Sequence, residues 1–261
     1  MKRLTRTPIT YYGGKQKLVP TILELIPSHT LYCEPFAGGA AVFFAKEPAK
    51  VEVINDTNRE LINFYRILSN DSDELEKELR VTLYSRATFN DAWAIYNYPH
   101  LFSDLKRAWA LWVLSMQGFS GQLSSTWGYD KVNNSPVKRM INRREELNIA
   151  AERLVNVQIE CTDAIRIIES RDSESAFFYV DPPYFNSDCG HYDGYTEDDF
   201  RELLQTLSQI RGKFLLSSYP SDVLDVFTQQ YGWYTVKKEM RIDAGKTNRK
   251  KIEVLTANYR I

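Results

Sequence analysis

The segment LYCEPFAGGAAVF, residues 31–43, has the pattern of a buried strand, a glycine turn and the start of a helix. The strand ends at Glu34, and Gly38 and Gly39 follow shortly after it. In an α/β sheet, a nucleotide-like ligand binds at such a turn, because glycine lets it approach the backbone closely. The spacing matches neither the dinucleotide pattern GxGxxG nor the phosphate-binding pattern GxxxxGK[ST]. Taken alone, the segment leaves a simple tight turn open as the alternative.

Further short apolar runs on both sides of this segment predict the strands of a sheet. With the first strand they are residues 30–33, 51–55, 157–161, 176–180, 213–217, 234–236 and 252–258. Segments with helical spacing of apolar residues lie between them. Nearly continuous apolar strands separated by helices predict a doubly wound, mostly parallel α/β sheet.

Residues 60–153 interrupt this alternation. Their aromatic and aliphatic residues follow helical spacing, and the sequence Thr57-Asn58-Arg59-Glu60 has the form of a capping box before a helix. No convincing strand occurs in this stretch. We therefore predict a mainly helical insertion at residues 60–153, within an α/β core formed by residues 1–59 and 154–261.

Composition and cysteine usage exclude several classes of protein. The chain has 261 residues, a net charge of -1 and 43% hydrophobic residues, which is typical of a globular protein with one large domain or one domain carrying an insertion. Three widely spaced cysteines argue against a zinc site and against a disulfide framework, and no other metal is expected. No apolar run has the length of a membrane span, and a signal region is lacking, so we expect a cytoplasmic protein with no membrane partner.

Two acidic residues follow predicted strands. Asp56 comes directly after VEVIN, about 20 residues beyond the glycine turn. A carboxylate at this position can accept hydrogen bonds from both hydroxyls of a ribose. The alternative is that Asp56 only caps the following helix.

The second acidic residue opens the sequence DPPY, residues 181–184, after the apolar strand AFFYV. The two prolines stiffen the backbone and donate no N–H, which leaves their carbonyl groups as acceptors. Tyr184 then places an aromatic ring at the rim. A carboxylate, a fixed carbonyl and a stacking ring suit a flat group with an amino substituent, such as a nucleobase, better than a phosphate.

Together these motifs resemble the Dam-like adenine-N6 DNA methyltransferases, the D12 or α-group class. The matching segments are PITYYGGK (8–15), EPFAGGAAVF (34–43), VINDTN (53–58) and DPPY (181–184), in the order typical of that family. Ala40 departs from the last glycine of the commoner FxGxG pattern, and we expect only a local adjustment there. The resemblance implies a Rossmann-like methyltransferase sheet with an inserted target-recognition domain. It also implies site-specific transfer of a methyl group from S-adenosyl-L-methionine to N6 of a flipped-out adenine in double-stranded DNA.

The resemblance also implies roles for individual residues. Asp181 and the Pro182 carbonyl would accept hydrogen bonds from the adenine amino group, and Tyr184 would stack on the base. Asp56 would bind the cofactor ribose, and Asp163 would line the cofactor adenine unless it only starts a helix. The expected cofactor-binding residues are Tyr11, Lys15, Glu34, Phe36, Gly38, Asp56, Asp163 and Asp181.

DNA contact is expected from two basic clusters and one loop. Phosphate contact is the functional interpretation of the clusters, and solvated surface charge is the alternative. The loop of residues 118–129 either enters a groove or fills the space of a flipped base, or else Trp127 and Tyr129 anchor it to the helices. The expected residues are Lys138, Arg139, Arg143, Arg144, Ser124, Trp127, Lys246 and Arg249.

Other functions stay open from the sequence. RNA adenine or cytosine-N4 methylation uses related turns, and a protein-glutamine acceptor would leave the basic insertion unexplained. A non-catalytic nucleic-acid-binding regulator on the same fold is the alternative from a different class. A partner endonuclease is also left open.

Overall fold

The computed structural model describes residues 6–186, 194–241 and 250–261. The chain forms two compact units. The first contains Met1–Leu23, Ala37–Pro48 and Asp56–Cys161, and the second contains Glu24–Phe36, Ala49–Asn55 and Thr162–Ile261. The predicted insertion of residues 60–153 lies within the first unit, which also includes the glycine turn and the amino-terminal segment.

Among the described residues, seven strands form one sheet in the order β3-β2-β1-β4-β5-β7-β6. They are β1 Leu31–Glu34, β2 Val51–Asn55, β3 Val157–Glu160, β4 Ala176–Val180, β5 Lys213–Ser218, β6 Tyr234–Arg241 and β7 Lys250–Ala257. β1 pairs in parallel with β2 and β4, and β4 with β5, whereas β7 runs antiparallel to β5 and β6. The predicted α/β class with a mostly parallel sheet is confirmed.

The last strand pair is longer than the sequence pattern predicts. β6 extends to Arg241, whereas its apolar run suggested an end at Val236. Its continuation is polar because β6 is the outermost strand in the sheet order and pairs on one side only, with β7. A strand of this kind lacks the continuous apolar pattern of a buried parallel strand.

The first unit is mainly helical. Its helices are α1 Val19–Leu25, which continues into the second unit, α2 Ala41–Ala45, α3 Arg59–Asn70, α4 Ser72–Arg80, α5 Arg86–Asn97, α6 Asp104–Gln117, α7 Ser135–Glu145 and α8 Leu147–Leu154. Short 3-10 helices occur at Pro99–Leu101 and Phe119–Gly121. α6 is buried on nearly all sides, with Trp112 fully buried, because α3, α4, α5 and α7 all contact it.

The capping box predicted with Thr57 at its start is wrong by one residue. α3 begins at Arg59, and the Asn58 side chain accepts hydrogen bonds from the backbone N–H groups of Glu60 and Leu61 at 3.1 and 3.2 Å. The Glu60 carboxylate does not reach back to the cap, because it pairs with Arg107 at 2.6 Å. Asn58 is therefore the residue that starts this helix.

The second unit packs α9 Ala164–Arg171, α10 Glu197–Leu207 and α11 Asp222–Tyr231 against the sheet. Alternate residues of the strands, including Phe178, Val180 and Phe214, meet the apolar faces of these helices in one cluster. All five residues of β4 are buried, so this strand is held from both faces. Because β1, β2 and β4 are parallel, the backbone following each strand leaves the same edge of the sheet.

Within the described ranges, no helix combines the length and the apolar character that crossing a membrane requires.

Candidate active site

In the first unit, the Asp56 carboxylate holds the glycine turn. Its Oδ2 accepts a hydrogen bond from the Gly38 N–H at 2.9 Å, and its Oδ1 accepts one from the Asn58 N–H at 2.9 Å. The Tyr65 hydroxyl donates to the Gly38 carbonyl at 2.7 Å. Asp56 is therefore not the cap of α3, and the capping alternative is wrong because Asn58 fills that position.

The charge state of Asp56 is set by two opposing effects. Burial raises the pKa of its carboxyl above the ordinary value of 3.8, while the backbone N–H bonds from Asn58, Gly38 and Thr57 lower it. A carboxylate has about four acceptor positions on its two oxygens, and the bonds from Gly38 and Asn58, which have hydrogen-bond geometry, occupy two of them, so there is room for further donors. A ligand with two neighbouring hydroxyl groups matches this remaining capacity.

Tyr11 packs so closely against the glycine turn that little space is left for a side chain at Gly38 or Gly39. Gly38 has φ +47°, and a Cβ atom on it would lie 3.2 Å from Cδ1 of Tyr11. A Cβ atom on Gly39 would lie 3.1 Å from the Tyr11 Cβ. The turn and the Tyr11 ring thus form one close-packed cradle within the first unit.

Ala40 occupies the position where the family pattern more commonly has glycine. It adopts a left-handed conformation, with φ 51° and ψ 40°, immediately before α2. For a residue with a side chain this conformation costs roughly 1–2 kcal/mol. The departure therefore adds a local backbone cost at the start of the helix.

Lys15 is buried in the amino-terminal segment of the same unit. Its Nζ donates to the Gly13 carbonyl at 3.2 Å. The unit therefore contains four of the residues expected to bind the cofactor, namely Tyr11, Lys15, Gly38 and Asp56.

Three more of the expected cofactor residues lie in the second unit. Glu34 is buried at the end of β1, where its Oε1 accepts from the Tyr32 hydroxyl at 2.6 Å. The Phe36 ring meets Tyr195 edge-on, with 6.4 Å between ring centroids. Asp163 caps α9 by accepting from the N–H groups of Ile165 and Arg166 at 2.9 and 3.2 Å. Asp163 therefore caps a helix, as the alternative interpretation of the sequence expected. Its role in binding a cofactor stays a prediction.

Asn55 is a structural residue of this edge that the sequence analysis missed. Its Nδ2 donates to the carbonyls of Pro35 and Thr162 at 2.9 and 3.0 Å, and its Oδ1 accepts from the Thr162 N–H at 3.0 Å. It ties the segment after β1 to the segment before α9. The available signal in the sequence was an amide at the last position of an apolar strand, and the structure buries it fully.

The DPPY segment follows the carboxyl end of β4, and the hydroxyl group of its tyrosine contacts polar side chains of the sheet. The Tyr184 hydroxyl lies 3.2 Å from Oδ1 of Asp181, 3.0 Å from the Ser217 Oγ and 2.9 Å from Oε2 of Glu253. Its ring meets Tyr219 at 64°, with 4.4 Å between centroids. Burial, and then the charges of Asp181 and Glu253, raise the pKa of Tyr184. The expectation of a simple rim ring needs correction, because buried polar partners anchor the hydroxyl.

Glu253 is the second residue of this site that the sequence analysis missed. It is fully buried on β7, and its Oε1 pairs with the Lys251 Nζ at 2.7 Å. Although burial lowers the pKa of Lys251, the hydrogen bond and charge of Glu253 raise it overall. A single glutamate within the apolar run IEVLTA was the available signal.

The basic cluster on α7 does not form one exposed face. Lys138 is exposed, but Arg139 donates to the Met116 carbonyl at 3.1 Å, and Arg144 donates to the carbonyls of Leu79 and Arg80 at 3.3 and 3.0 Å. The last carbonyls of a helix lack partners within it, which explains why these arginines turn toward α6 and α4.

Arg143, from the same cluster, has only 7% of its surface exposed. Burial, together with the charges of Arg6 and Arg139, lowers its pKa to about 10. Its guanidinium does not lie on a solvated face. Of the four α7 residues expected to contact phosphate, Lys138 is exposed, Arg139 and Arg144 are half-buried and Arg143 is buried.

The loop before α7 is anchored to the helices by its tryptophan. The Trp127 Nε1 donates to Oε1 of Gln117 at 3.3 Å, and its ring stacks on Tyr129 at 5.9 Å. The Arg86 guanidinium lies over the same ring at 4.9 Å. These contacts match the anchoring interpretation of Trp127, while Ser124 is exposed on the same loop.

Lys246 and Arg249, expected to contact DNA, lie outside the described residues. Within the described part of the chain, no group of three or more His, Cys, Asp or Glu side chains is arranged to hold a metal ion.

The sheet, the glycine turn tied to Asp56 and the DPPY segment at the end of β4 together define an α/β methyltransferase. The family model of the D12 class N6 adenine-specific DNA methyltransferases matches residues 11–242. The chain belongs to this family, and it is an adenine-specific DNA methyltransferase.

Relatives of known function span nearly the whole chain. The type II methyltransferase M1.LlaDCHI of Lactococcus lactis subsp. cremoris is 28% identical over an alignment 290 residues long. The alignment covers 98% of this chain and 97% of that protein. The DNA adenine methylase of Serratia marcescens is 26% identical over 270 residues and 98% of each chain. A putative RNA methyltransferase structure from Pyrococcus horikoshii aligns with 95% of this chain and 84% of its own, at 9% identity and a TM-score of 0.42.

Proposed function

We propose that this chain transfers the methyl group of S-adenosyl-L-methionine to N6 of an adenine at specific sites in double-stranded DNA, and that Asp181 and Pro182 hold the amino group. The observation that carries the proposal is the geometry of DPPY. Asp181 follows a fully buried strand, two prolines remove the competing N–H donors, and the Tyr184 hydroxyl is anchored beside the carboxylate.

We assign binding of the cofactor mainly to residues of the first unit, because their hydrogen-bonding groups and close packing suit its ribose. Asp56 would accept hydrogen bonds from the ribose hydroxyls, since its two backbone bonds leave acceptor positions free. The cradle of Gly38, Gly39 and Tyr11 lets a ligand approach the backbone closely. The bound cofactor supplies a methyl group activated by a positively charged sulfur. Lys15 of the first unit, and Glu34, Phe36, Asp163 and Asp181 of the second, complete the proposed set.

The substrate role is assigned to the DPPY segment. The N6 lone pair of adenine is delocalised into the ring, so the amino group is a poor nucleophile. Accepting its two N–H bonds at the Asp181 carboxylate and the Pro182 carbonyl would favour a tetrahedral nitrogen that can attack. The negative charge of Asp181 would stabilise positive charge that develops on nitrogen, and positioning supplies much of the remaining rate. Because N6 is buried in a duplex, the adenine would have to flip out first.

Contact with the duplex is assigned to the exposed residues of the predicted set. Lys138 of α7 would contact a phosphate, and Ser124 of the loop would also contact the duplex, since both residues are exposed. Lys246 and Arg249 are retained as proposed phosphate contacts from the sequence alone. The proposed location is the cytoplasm, where the DNA substrate and the cofactor are both present.

The proposal is tested by incubating the chain with cofactor carrying a labelled methyl group and unmethylated plasmid DNA. We expect N6-methyladenine after the DNA is digested to nucleosides and analysed by mass spectrometry, and none with Asp181→Ala. Sequencing of the modified plasmid then gives the recognition sequence. Label in cytosine N4 or only in added RNA would support those alternatives. DNA binding without label in any acceptor would support the regulator and overturn the proposal.

A further inference from the structure

Gln117, the last residue of α6, has a fully buried side-chain amide. Its Oε1 accepts from the Ser85 N–H at 3.1 Å and from the Trp127 Nε1 at 3.3 Å. Its Nε2 donates to the Leu83 carbonyl at 2.8 Å and to the Met140 Sδ at 3.8 Å. A glutamine amide has two acceptor positions and two donor hydrogens, so these contacts use its whole hydrogen-bonding capacity.

The same residue holds both ends of the loop of residues 118–129. The Gly128 N–H donates to the Gln117 carbonyl at 2.7 Å, next to the bond between the Trp127 indole and the Gln117 side chain. Gly118 and Trp127 form an antiparallel bridge between the two ends. Main chain and side chain of Gln117 therefore close the loop together.

The amide also joins the loop to the surrounding helices. Leu83 and Ser85 directly precede α5, and Ser85 caps that helix by accepting from the Thr88 N–H at 3.1 Å. Met140 lies on α7. Because its bonds to Ser85 and Leu83 fix the orientation of the amide, Gln117 fixes the position of Trp127 relative to α5 and α6.

The closed loop has a set of exposed side chains between its ends, namely Phe119, Ser120, Ser124 and Thr126. A loop that is ordered before binding loses less conformational entropy when it binds. It also distinguishes partners better, because a flexible loop can rearrange to accept an incorrect partner and a fixed loop cannot. Fixing this loop should therefore affect discrimination between DNA sequences.

We propose that Gln117 is a positioning residue for DNA recognition: by holding Trp127 it fixes the loop of residues 118–129 and so increases the preference for the recognition sequence over related sequences. The inference rests on the proposed function, in which this loop contacts the duplex. Gln117 is itself fully buried and acts through Trp127.

The first experiment measures the contact itself, by hydrogen exchange of the Trp127 indole N–H in nitrogen NMR spectra of the full chain. The signal is identified among those of the 5 tryptophans by its absence in Trp127→Phe. Gln117→Met keeps the size of the side chain and removes the amide. We expect the indole N–H to exchange about tenfold faster in this variant, because a lost hydrogen bond shifts a local opening equilibrium by that order.

The second experiment measures the specificity of methyl transfer. The kcat/KM for a duplex with the recognition sequence, found by sequencing modified plasmid DNA, is divided by that for a duplex changed at one base pair. We expect this ratio to fall about tenfold in Gln117→Met and in Trp127→Phe, which keeps a ring but removes the donor. The double variant should fall no further than Gln117→Met, because both changes break the same bond.

Asn63→Leu is the matched control. Asn63 is a buried amide of α3, and its Nδ2 donates to the Asp104 carbonyl at 2.8 Å, at the opposite end of α6 from Gln117. This change should lower the free energy of unfolding in urea and leave the ratio unchanged. A purely structural role of Gln117 would likewise lower kcat/KM for both duplexes by the same factor, since only the folded fraction would decrease.

A ratio that stays unchanged in either folded variant, losses that multiply in the double variant, or an unchanged exchange rate in Gln117→Met would overturn the inference. If Gln117→Met does not fold, the ratio in Trp127→Phe decides alone. Absence of methyl transfer by the unaltered chain would instead overturn the proposed function, which unchanged ratios in variants of an active chain would leave intact.

Discussion

Asp56 and Asp181 occupy equivalent positions in sequence, each directly after a buried parallel strand, yet the structure holds them by different means. Asp56 accepts hydrogen bonds from backbone N–H groups of Gly38 and Asn58, in the first unit. Asp181 contacts a tyrosine hydroxyl that also contacts side chains of β5 and β7, in the second unit.

The difference indicates two kinds of function. A carboxylate held by backbone donors has a fixed position, which suits recognition of a ligand that is not itself altered by the residue. A carboxylate in a network of titratable side chains has an adjustable charge, which suits a residue that must act on a reacting group. Changes at Asp56 should therefore affect binding, and changes at Asp181 should affect rate.

The largest effect is expected for Asp181→Asn. The amide keeps the size of the side chain and one acceptor oxygen but removes the negative charge. We expect the single-turnover rate of methyl transfer to fall by about a thousandfold, since a preorganised charge at the reacting group is worth that order of rate. Cofactor affinity measured by calorimetry should fall far less than the rate, because the other residues expected to bind the cofactor are unchanged. Undiminished turnover would remove Asp181 from the mechanism.

The next effect is expected for Asp56→Ala. Loss of charged hydrogen bonds to the ribose should weaken cofactor binding by about 10–100-fold in calorimetry. Asp225→Ala, at an exposed carboxylate of α11 outside the proposed site, is the control and should leave the affinity unchanged. Equal affinity in Asp56→Ala and the unaltered chain would reject the ribose role.

The pH dependence of cofactor binding follows from the same residue. Burial raises the pKa of Asp56 above 3.8, so the folded protein binds a proton there more readily than the unfolded chain does. The charged form is required for binding, and affinity should therefore fall as pH decreases through a midpoint above 3.8. The midpoint should disappear from the binding profile of Asp56→Ala.

A comparison of Tyr184→Ala with Tyr184→Phe separates the two functions of this side chain. Alanine removes both the ring and the hydroxyl, and we expect about 5–100-fold weaker binding of DNA that presents an unpaired target adenine, because stacking on one base is worth about 1–3 kcal/mol. Phenylalanine keeps the ring and should retain most of that affinity. Similar losses in both variants would show that the hydroxyl, and not the ring, determines binding.

The smallest effect is expected at the glycine turn. Gly38→Ala and Gly232→Ala both force a side chain into the left-handed region, at φ +47° and +65°, and each should lower the free energy of unfolding by about 1 kcal/mol. Only the Gly38 substituent would approach Tyr11, at 3.2 Å, whereas a substituent on Gly232 meets no atom within 4 Å. Urea unfolding should therefore show a larger loss for Gly38→Ala, and only this variant should also weaken cofactor binding. Equal losses would contradict the close-packed cradle.

The sequence predicted some features of the site well and others poorly, and the pattern has a physical cause. The strands before Asp56 and Asp181 follow from continuous apolar runs, because burial on both faces of a sheet leaves little choice of residue. The cap at Asn58 was misplaced by one residue, because Glu60 is engaged by Arg107 from a distant helix. The basic cluster was expected on the surface, but Arg144 satisfies the end of α4 instead.

The sequence by itself determined the sheet, the glycine turn, the two strand-terminal carboxylates and the family, since each depends on residues close together in the chain. Only the tertiary structure decided what holds the DPPY segment and the arginines of α7. The bond between Tyr184 and Glu253 spans 69 positions, and that between Arg144 and Leu79 spans 65. Such partners are chosen by which strands and helices become neighbours after folding, and no local pattern of residue types records that choice.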